Sequence, residues 1–351
     1  MTISSRNHFI PRLTAIIIAA LLIVACQSAL PEADPPTDDM AAEALVIYSG
    51  RNENLVAPLL ERYSEQTGIE LEVRYGSTAE MAATILEEGA NSPADVFFGQ
   101  DAGALGALAR LDRCLPLAES ITGRVDSRFV SPDSKWVGTS GRARVLVYNT
   151  DELSPEDLPT SIFDLTDERW RGVIGWAPTN GSFQAFVTAM RVNAGEDVTS
   201  QWIVDMLAND VQAFPNNTTI VEASGRGEVA AGLVNHYYLY RFLAEDPEFP
   251  ADNYHFPAGD VGSMINVAGV CIIDSSDNQD GAIQLIEYLL SDESQQYFAD
   301  ETNEYPLSNS DITIDTRLQS LSAIDTPDFD LSDTEDLQGT LDLLQDTGAL
   351  D

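Results

Sequence analysis

The sequence predicts an α/β protein built from two lobes, each with a mostly parallel sheet flanked by helices. Between residues 44 and 100, apolar strand-like runs alternate with helical segments, and repeated β-α-β units form parallel sheets with helices on both faces. A second alternating series begins at Gly172. About 300 residues follow the N-terminal segment, which is enough chain for two separate cores.

The first residues have the layout of a secretory signal. Arg6 and Arg12 give a basic start, and residues 13–25 form an uncharged apolar run that is too short for a comfortable membrane span. We therefore predict that residues 1–25 are a signal peptide. The ending Leu22-Ile-Val-Ala-Cys26 resembles a bacterial lipobox and predicts that Cys26 is lipidated. An unmodified Cys26 after an ordinary signal peptide is the alternative.

Residues 26–43 have the composition of a tether. They contain Pro31, Pro35, Pro36 and several acidic residues, without hydrophobic periodicity, so they cannot bury a core of their own. We expect a lipid-anchored acidic linker that holds a soluble protein on the extracytoplasmic face of the cell membrane, in the periplasm or at the cell surface.

Lobe one is predicted from residues 44–145 together with 262–324. Its strands are expected at 44–49, 71–75 and 95–98, and its first helices at 54–66, from the capping box Ser77-x-x-Glu80, and over the small residues 103–109. In sheets of this kind, ligands bind beyond the carboxyl ends of the strands.

Lobe two is predicted from residues 146–261. We interpret residues 136–149 as the crossover into it and the apolar residues 264–273 as the return, followed by helices at about 279–290 and 292–298. Within lobe two we expect strands at 172–176 and 211–214 and helices after Asn180 and from Thr219. Residues 325–351 are an acidic C-terminal tail, although its leucines between 331 and 350 have helical spacing and could pack on a lobe.

The charge balance excludes several classes of function. Fifty-seven acidic residues against 18 basic ones give a net charge of −39, which opposes binding to nucleic acids or anionic lipids and mildly favours a cationic cargo.

No Gly-x-Ser-x-Gly elbow, Walker loop or Gly-x-Gly-x-x-Gly fingerprint follows a predicted strand. We therefore predict that the protein is not an enzyme.

Two cysteines remain after Cys26 is set aside. Cys114 and Cys271 could pair in an oxidising compartment or stay as two buried thiols, and the sequence leaves both possibilities open. No Cys-x-x-Cys or dense Cys/His cluster is present, so a zinc site has little support.

Adjacent tyrosines end the apolar run at residues 230–234. A highly charged cation can remove the phenolic protons of Tyr237 and Tyr238 well below the usual tyrosine pKa of about 10. Two phenolate oxygens in a secreted protein suggest capture of ferric iron. Aromatic residues at such positions also pack in cores at the start of a helix.

An ordered set of motifs resembles one protein family. Residues 46–51, 93–98, 140–148, 178–182 and 235–238 are similar in order and spacing to the periplasmic ferric-ion-binding proteins of ABC importers, and the resemblance covers about residues 44–307. It implies the two-lobed, hinged periplasmic-binding-protein fold. It also implies a soluble component that closes over iron and delivers it to a permease with its ATPase.

The resemblance also implies a metal site. The tandem tyrosines of the family fall on Tyr237 and Tyr238, and the histidine and glutamate that many members add fall on Asn52 and Gln100. Neither of these is an anionic donor. Other branches supply a third tyrosine from the helix after Pro178, where this chain has Phe183, which cannot coordinate metal.

A synergistic anion would fill the gap left by the missing ligands. Two tyrosinates leave Fe³⁺ with about one uncompensated positive charge, which carbonate or phosphate would satisfy. The family's anion-binding positions correspond to Asn180, Gly181, Ser182, Asn217 and Asn235. Helix starts at 180–182 and near 217 would supply free N–H groups to an anion. Arg51 and Arg142 are further candidates, since a guanidinium binds such anions through two hydrogen bonds.

The sequence therefore predicts a monomeric, lipid-anchored substrate-binding protein of a ferric ABC importer. The first alternative keeps the fold but changes the ligand to an organic cation or an oxyanion. The second is a sensory or adhesion lipoprotein that binds no metal.

Overall fold

A computed structural model describes residues 44–257, 259–308 and 311–350. The predicted signal peptide and linker, including Cys26, lie outside these residues. Within the described part, none of the helices combines the length and apolar character needed to cross a membrane.

These residues contain ten strands and eleven α-helices. The strands are β1 Leu45–Ser49, β2 Leu71–Tyr75, β3 Val96–Gly99, β4 Val137–Asn149, β5 Ile174–Trp176, β6 Gln212–Ala213, β7 Ala231–Asn235, β8 Ala251–Tyr254, β9 Ile265–Ile272 and β10 Tyr305–Pro306. The helices are α1 Glu53–Thr67, α2 Thr78–Glu88, α3 Ala102–Arg110, α4 Glu119–Thr122, α5 Gly181–Ala194, α6 Glu196–Ala208, α7 Asn217–Gly225, α8 Tyr237–Glu245, α9 Gln279–Leu289, α10 Asp292–Glu301 and α11 Leu337–Asp346.

Eight of the strands follow the order β2-β1-β3-β9-β4-β7-β5-β6, and β8 and β10 each pair with β4. Strands β2, β1 and β3 are parallel, as are β7, β5 and β6, while β9 and β4 run antiparallel to their neighbours. Each group of parallel strands belongs to one lobe and has helices packed against it, so the predicted two-lobed α/β fold is confirmed.

Strand β4 belongs to both lobes. Residues from Val137 to Ala143 pair with β9 on the lobe-one side, and residues from Arg144 to Tyr148 pair with β7 on the lobe-two side. All thirteen residues of β4 are buried. The strand therefore contributes buried side chains to both lobes.

Two hydrophobic clusters form the core: the larger one fills lobe one and continues into lobe two around α7 and α8, and the other lies on the lobe-two side. In lobe two the core contains a group of aromatic rings in edge or tilted contact: Trp176, Phe183, Phe186 and Trp202. Such contacts stabilise by roughly 0.5–1.5 kcal/mol each beyond the area they bury. In lobe one, Cys114 and Cys271 form a disulfide with a Cα–Cα distance of 5.7 Å.

The segment predicted as an acidic tail packs against both lobes. Its turn Leu331–Glu335 lies between α3 of lobe one and α5 of lobe two, and its helix α11 lies on α5. We call residues 331–346 the C-terminal strap. A Cβ at Gly103 or Gly106 would come within 2.3 Å of the Thr334 carbonyl or 2.5 Å of the Ser332 carbonyl, so the small residues of α3 make room for the strap backbone.

Polar contacts hold the strap at both ends. On lobe one, Arg110 pairs with Asp333 and Glu335, and Trp136 Nε1 donates to Ser332 Oγ at 3.1 Å. On lobe two, Arg191 Nη2 lies 2.8 Å from Asp336 Oδ2, and the hydroxyls of Thr188 and Thr340 are 2.7 Å apart. The strap is therefore bonded to both lobes.

Candidate binding cleft

The tyrosine pair lies where strand β7 meets helix α8. The strand ends at Asn235 and the helix begins at Tyr237, so the pair stands both at a strand end and at a helix start. The two rings stack with centroids 4.4 Å apart. Tyr237 is buried, and this burial raises the pKa of its phenol above the usual value, with Tyr238 acting in the same direction and Arg142 opposing. The raised pKa keeps the Tyr237 phenol protonated at neutral pH when no metal ion is bound to it.

His236 fixes the position of this junction. It is fully buried, its Nδ1 accepts from the Ala143 N–H at 3.1 Å, and its Nε2 lies 2.8 Å from the Asn303 carbonyl. Since Nδ1 accepts a hydrogen bond, Nε2 carries the ring proton and donates a hydrogen bond to the Asn303 carbonyl. Burial lowers the pKa of His236 to about 3, which keeps the imidazole neutral. His236 therefore holds its neighbours in position and does not line the cleft.

The tyrosine pair borders two adjoining cavities. One has a volume of about 580 Å³ and is lined by residues that include Arg142, Arg144, Asp101, Asn180 and Asn235; we call it the Arg142 cavity. The other has a volume of about 590 Å³ and includes Arg51, Asn52, Gln100 and Arg241; we call it the Arg241 cavity. Both tyrosines line both cavities, so a ligand on the pair could contact either group.

A cluster of asparagines forms the lobe-two side of the Arg142 cavity. Asn180 is the N-cap of α5, and its Oδ1 accepts from Ser182 N at 3.1 Å and from Ser182 Oγ at 2.6 Å. Asn217 donates through Nδ2 to Asn180 Oδ1 at 3.0 Å and accepts from the Asn235 N–H at 2.9 Å. The structure therefore brings Asn180, Ser182, Asn217 and Asn235 together in one hydrogen-bonded cluster.

The start of α7 differs in detail from the sequence expectation, whereas Gly181 agrees with it. The cap of α7 is Asn216, whose Oδ1 accepts from Thr219 N at 3.0 Å, and Asn217 is the first helical residue. Asn217 is 1% exposed, so it organises the other asparagines from behind. Gly181 has open space on its Cβ side and leaves the start of α5 accessible to a small anion.

Arg142 and Arg144 place two buried cations beside the tyrosines. The Arg142 Nη2 donates to the Gln100 carbonyl, and its buried Nη1 has no hydrogen-bond partner in the described residues. Arg144 donates to the Leu233 carbonyl at 2.8 Å and lies over the rings of Phe183 and Phe186. Burial lowers the pKa of both, that of Arg144 to about 9. Both guanidinium groups would be stabilised by an anion in this cavity.

The lobe-one residues predicted as ligands are engaged with each other. Gln100 Oε1 accepts from Arg51 Nη1 at 2.8 Å, and Arg51 also forms a two-point ion pair with Glu304. Asn52 is exposed and uses its side-chain oxygen to cap α1. These contacts occupy the groups through which Gln100 and Asn52 would coordinate a metal and Arg51 would bind an anion, so none of the three is left free to bind a ligand directly.

Two residues of this region, Glu304 and Arg241, were not predicted from the sequence. Glu304 gave no signal in the sequence, because its role depends on a contact with Arg51 across 253 positions. Arg241 follows Tyr238 by three residues and its guanidinium lies 5.5 Å from the Tyr238 ring centroid. That helical spacing would have placed it beside the pair. Phe183, by contrast, is fully buried in lobe two.

The fold and cleft define a class of two-lobed proteins that enclose a ligand between their lobes. The family model for bacterial extracellular solute-binding proteins matches residues 79–333, and the chain belongs to this family.

Individual relatives are similar to this protein over most of its length. The chain is 29% identical over 336 residues to the major ferric iron-binding protein of Neisseria meningitidis, covering 94% of this chain and 97% of the relative. Iron-bound HitA from Pseudomonas aeruginosa superimposes with a TM-score of 0.78 at 30% identity, covering 87% of this chain and 99% of HitA. Trichodesmium FutA, solved with iron and citrate, gives 0.75 at 27% identity, with coverages of 87% and 99%. These relatives are iron-binding proteins and not enzymes.

Proposed function

We propose that this protein captures ferric iron between its lobes through Tyr237 and Tyr238, together with an anion, and delivers it to a membrane permease. The observation that carries the proposal is the placement of both tyrosines in a cleft beside two buried arginines. The names of the relatives, which refer to ferric iron or to bound iron, support the same cargo.

The chemistry of the donors explains why an anion is needed. Two tyrosinates neutralise two charges of Fe³⁺ and leave roughly four coordination positions open. No group of three or more His, Cys, Asp or Glu residues in the described chain could complete a metal site. An anion such as carbonate or phosphate would fill these positions while binding Arg142, Ser182 and the start of α5.

Closure follows from contacts to both lobes. A ligand that binds the tyrosines of lobe two and is covered by groups of lobe one stabilises the closed state through its preference for that state. The closed form would then dock on an ABC permease coupled to its ATPase.

Lipidation of Cys26 would keep a monomeric protein on the extracytoplasmic face of the membrane. Mass spectrometry of the mature N-terminus would test the anchor.

Visible absorption tests the iron site directly. Purified protein titrated with ferric nitrilotriacetate in bicarbonate or phosphate buffer should develop a tyrosinate-to-iron charge-transfer band. The double variant Tyr237→Phe/Tyr238→Phe should lose it, while Tyr148→Phe, which alters a lobe-two core residue, should keep it. A colourless wild-type protein, or colour that survives the double variant, would contradict the proposal.

An oxyanion without metal is the alternative that a specific observation favours. Arg142, whose Nη1 makes no hydrogen bond in the described residues, and the neighbouring Arg144 are buried cations that could hold an oxyanion by themselves. In that case, calorimetry would show phosphate or carbonate binding of equal strength in the presence and absence of iron. The same cations oppose an organic cation as cargo.

A further inference from the structure

Positive charge surrounds the tyrosine pair on both of its cavities, although the chain as a whole is strongly acidic. The net charge is −39, yet four arginines border the two cavities, namely Arg51, Arg142, Arg144 and Arg241. Among the described residues, Arg144 and Arg241 have no carboxylate within ion-pair distance, while Arg51 and Arg142 share Glu304. The cleft is therefore a cationic region in an anionic protein.

The carboxylates near the cleft do not cancel this charge. Glu304 is one, and Asp101, which caps α3 and lines the Arg142 cavity, is the second. Glu335 also lines that cavity but is already paired with Arg110. Four arginines thus face two carboxylates, which leaves a surplus of two positive charges around the tyrosines.

Iron increases the surplus. Fe³⁺ bound by two tyrosinates adds about one further positive charge, so a doubly charged carbonate would leave the site positive. Uncompensated charge in a buried site is costly, and the cost falls when the ligand itself brings the opposite charge. A ligand with three or more negative charges would balance the cleft, whereas carbonate would not.

A hydroxypolycarboxylate has the required charge and donors. Its hydroxyl and two of its carboxylates can occupy three positions on Fe³⁺, and a remaining carboxylate can accept a two-point contact from an arginine. Each cavity, at about 580 and 590 Å³, falls in the range of about 300–1,000 Å³ that holds small organic molecules in proteins. The available space therefore suits an organic anion.

Arg241 has the position to bind such a remaining carboxylate. It lies on α8 one turn after the tyrosines, over the ring of Tyr238, and lines the cavity opposite Arg142 and Arg144. A small anion held at the start of α5 would contact the Arg142 cavity only. Building on the proposed ferric function, we propose that the cargo is ferric iron chelated by a hydroxypolycarboxylate and that Arg241 selects this form over iron with carbonate.

Retention of the chelator tests the cargo. Full-length mature protein would be loaded with radioactive iron and radiolabelled citrate, and separately with ferric nitrilotriacetate in bicarbonate buffer, before gel filtration. We expect citrate to elute with the protein in proportion to iron, and tricarballylate, which has the same three carboxylates but no hydroxyl, to be retained less. Iron retained with bicarbonate while citrate is lost would overturn the chelate inference and leave the ferric function intact. No charge-transfer colour with any anion would refute both.

Arginine variants test the selectivity. Removing one charge-assisted contact should lower the preference for ferric citrate over iron with bicarbonate by about tenfold in Arg241→Ala, and Arg241→Lys should restore part of it. Arg62→Ala is the matched control, because Arg62 also lies over a tyrosine ring, that of Tyr297, at 5.2 Å, but away from the cleft. An equal loss for both iron forms in Arg241→Ala would overturn the selective role of Arg241.

Discussion

Arg51 and Glu304 form a buried ion pair, with Arg51 Nη2 2.9 Å from Glu304 Oε2 and neither side chain more than 2% exposed. Glu304 also accepts from Ser140 Oγ and lies 3.9 Å from Arg142 Nη1. Although burial opposes ionisation, the two arginines hold the pKa of Glu304 below its usual value. Glu304 is therefore the counter-charge that allows two arginines to stay buried at the cleft.

Glu304→Gln should lower the free energy of unfolding by about 3–5 kcal/mol, because it leaves buried guanidinium groups without their carboxylate. Urea denaturation of the iron-free protein measures the change. Glu168→Gln is the control, since it also removes a carboxylate from an arginine but at an exposed position, and it should have no measurable effect. Equal stability of the two variants would contradict the role given to Glu304.

Asn217→Ala should weaken iron binding, because it releases Asn180 and Ser182 from their shared partner and leaves the Asn235 N–H unsatisfied. We also expect a loss of about 1–3 kcal/mol in stability. The neighbouring variant Asn216→Ala removes the cap of α7 and should cost about 1 kcal/mol without changing iron affinity. Titration of the charge-transfer band compares the two, and identical affinities would refute the organising role of Asn217.

Replacing Cys114 and Cys271 together by alanine should destabilise the protein by about 2–5 kcal/mol, since the disulfide closes a loop across 157 positions of the chain. The pair lies in the core of lobe one and does not line the cleft. The melting temperature should therefore fall while the charge-transfer band is unchanged. A melting temperature that is insensitive to the double substitution would show that the pairing contributes nothing.

Gly106→Ala should displace the C-terminal strap, because its Cβ would come within 2.5 Å of the Ser332 carbonyl and backbone cannot move aside as a side chain can. Limited proteolysis should then cleave around residues 325–337 faster than in the wild-type protein. Leu111→Ala, an exposed position just after the same helix, is the control. Equal cleavage rates in both variants would indicate that the strap tolerates the added methyl group.

His255 should make the iron-free protein less stable in mild acid. Burial lowers the pKa of His255 to about 4, whereas an imidazole in the unfolded chain has a pKa of about 6.5. Between these values the unfolded state binds the extra proton, so stability falls as pH falls, by at most about 1.4 kcal/mol per pH unit. The difference in unfolding free energy between wild type and His255→Gln, followed from pH 7 to pH 4, isolates this contribution from the many carboxylates. A constant difference would contradict the lowered pKa.

The fold could be predicted from local patterns. Strand β2 has the predicted bounds, and α1, α9 and β9 differ from theirs by a residue or two, because apolar periodicity and capping signals are local properties of the chain. The tyrosine pair and the helix start at Asn180 could be placed at the cleft for the same reason, together with the motif order.

The rest depended on contacts between distant residues. Gln100 and Arg51 satisfy each other and Glu304 across the lobe-one interior, and nothing in the neighbourhood of any of the three residues indicates this. The course of the acidic C-terminal segment was likewise open, because leucine spacing predicts a helix but does not say what it packs on. The glycines of α3 give the reason for that packing only when the strap is seen beside them.

The C-terminal strap gives the molecule a third connection between its lobes, apart from β4 and the return into β9. If β4 and β9 were the only connections, the lobes could rotate about them until steric contact stopped the motion. A third link, bonded to lobe one through Arg110 and to lobe two through Arg191, limits how far the two lobes can move apart. Glu335 and Asp336, which bind these two arginines, are neighbours in the chain, so the lobes cannot move far apart at the strap before one of these ion pairs breaks.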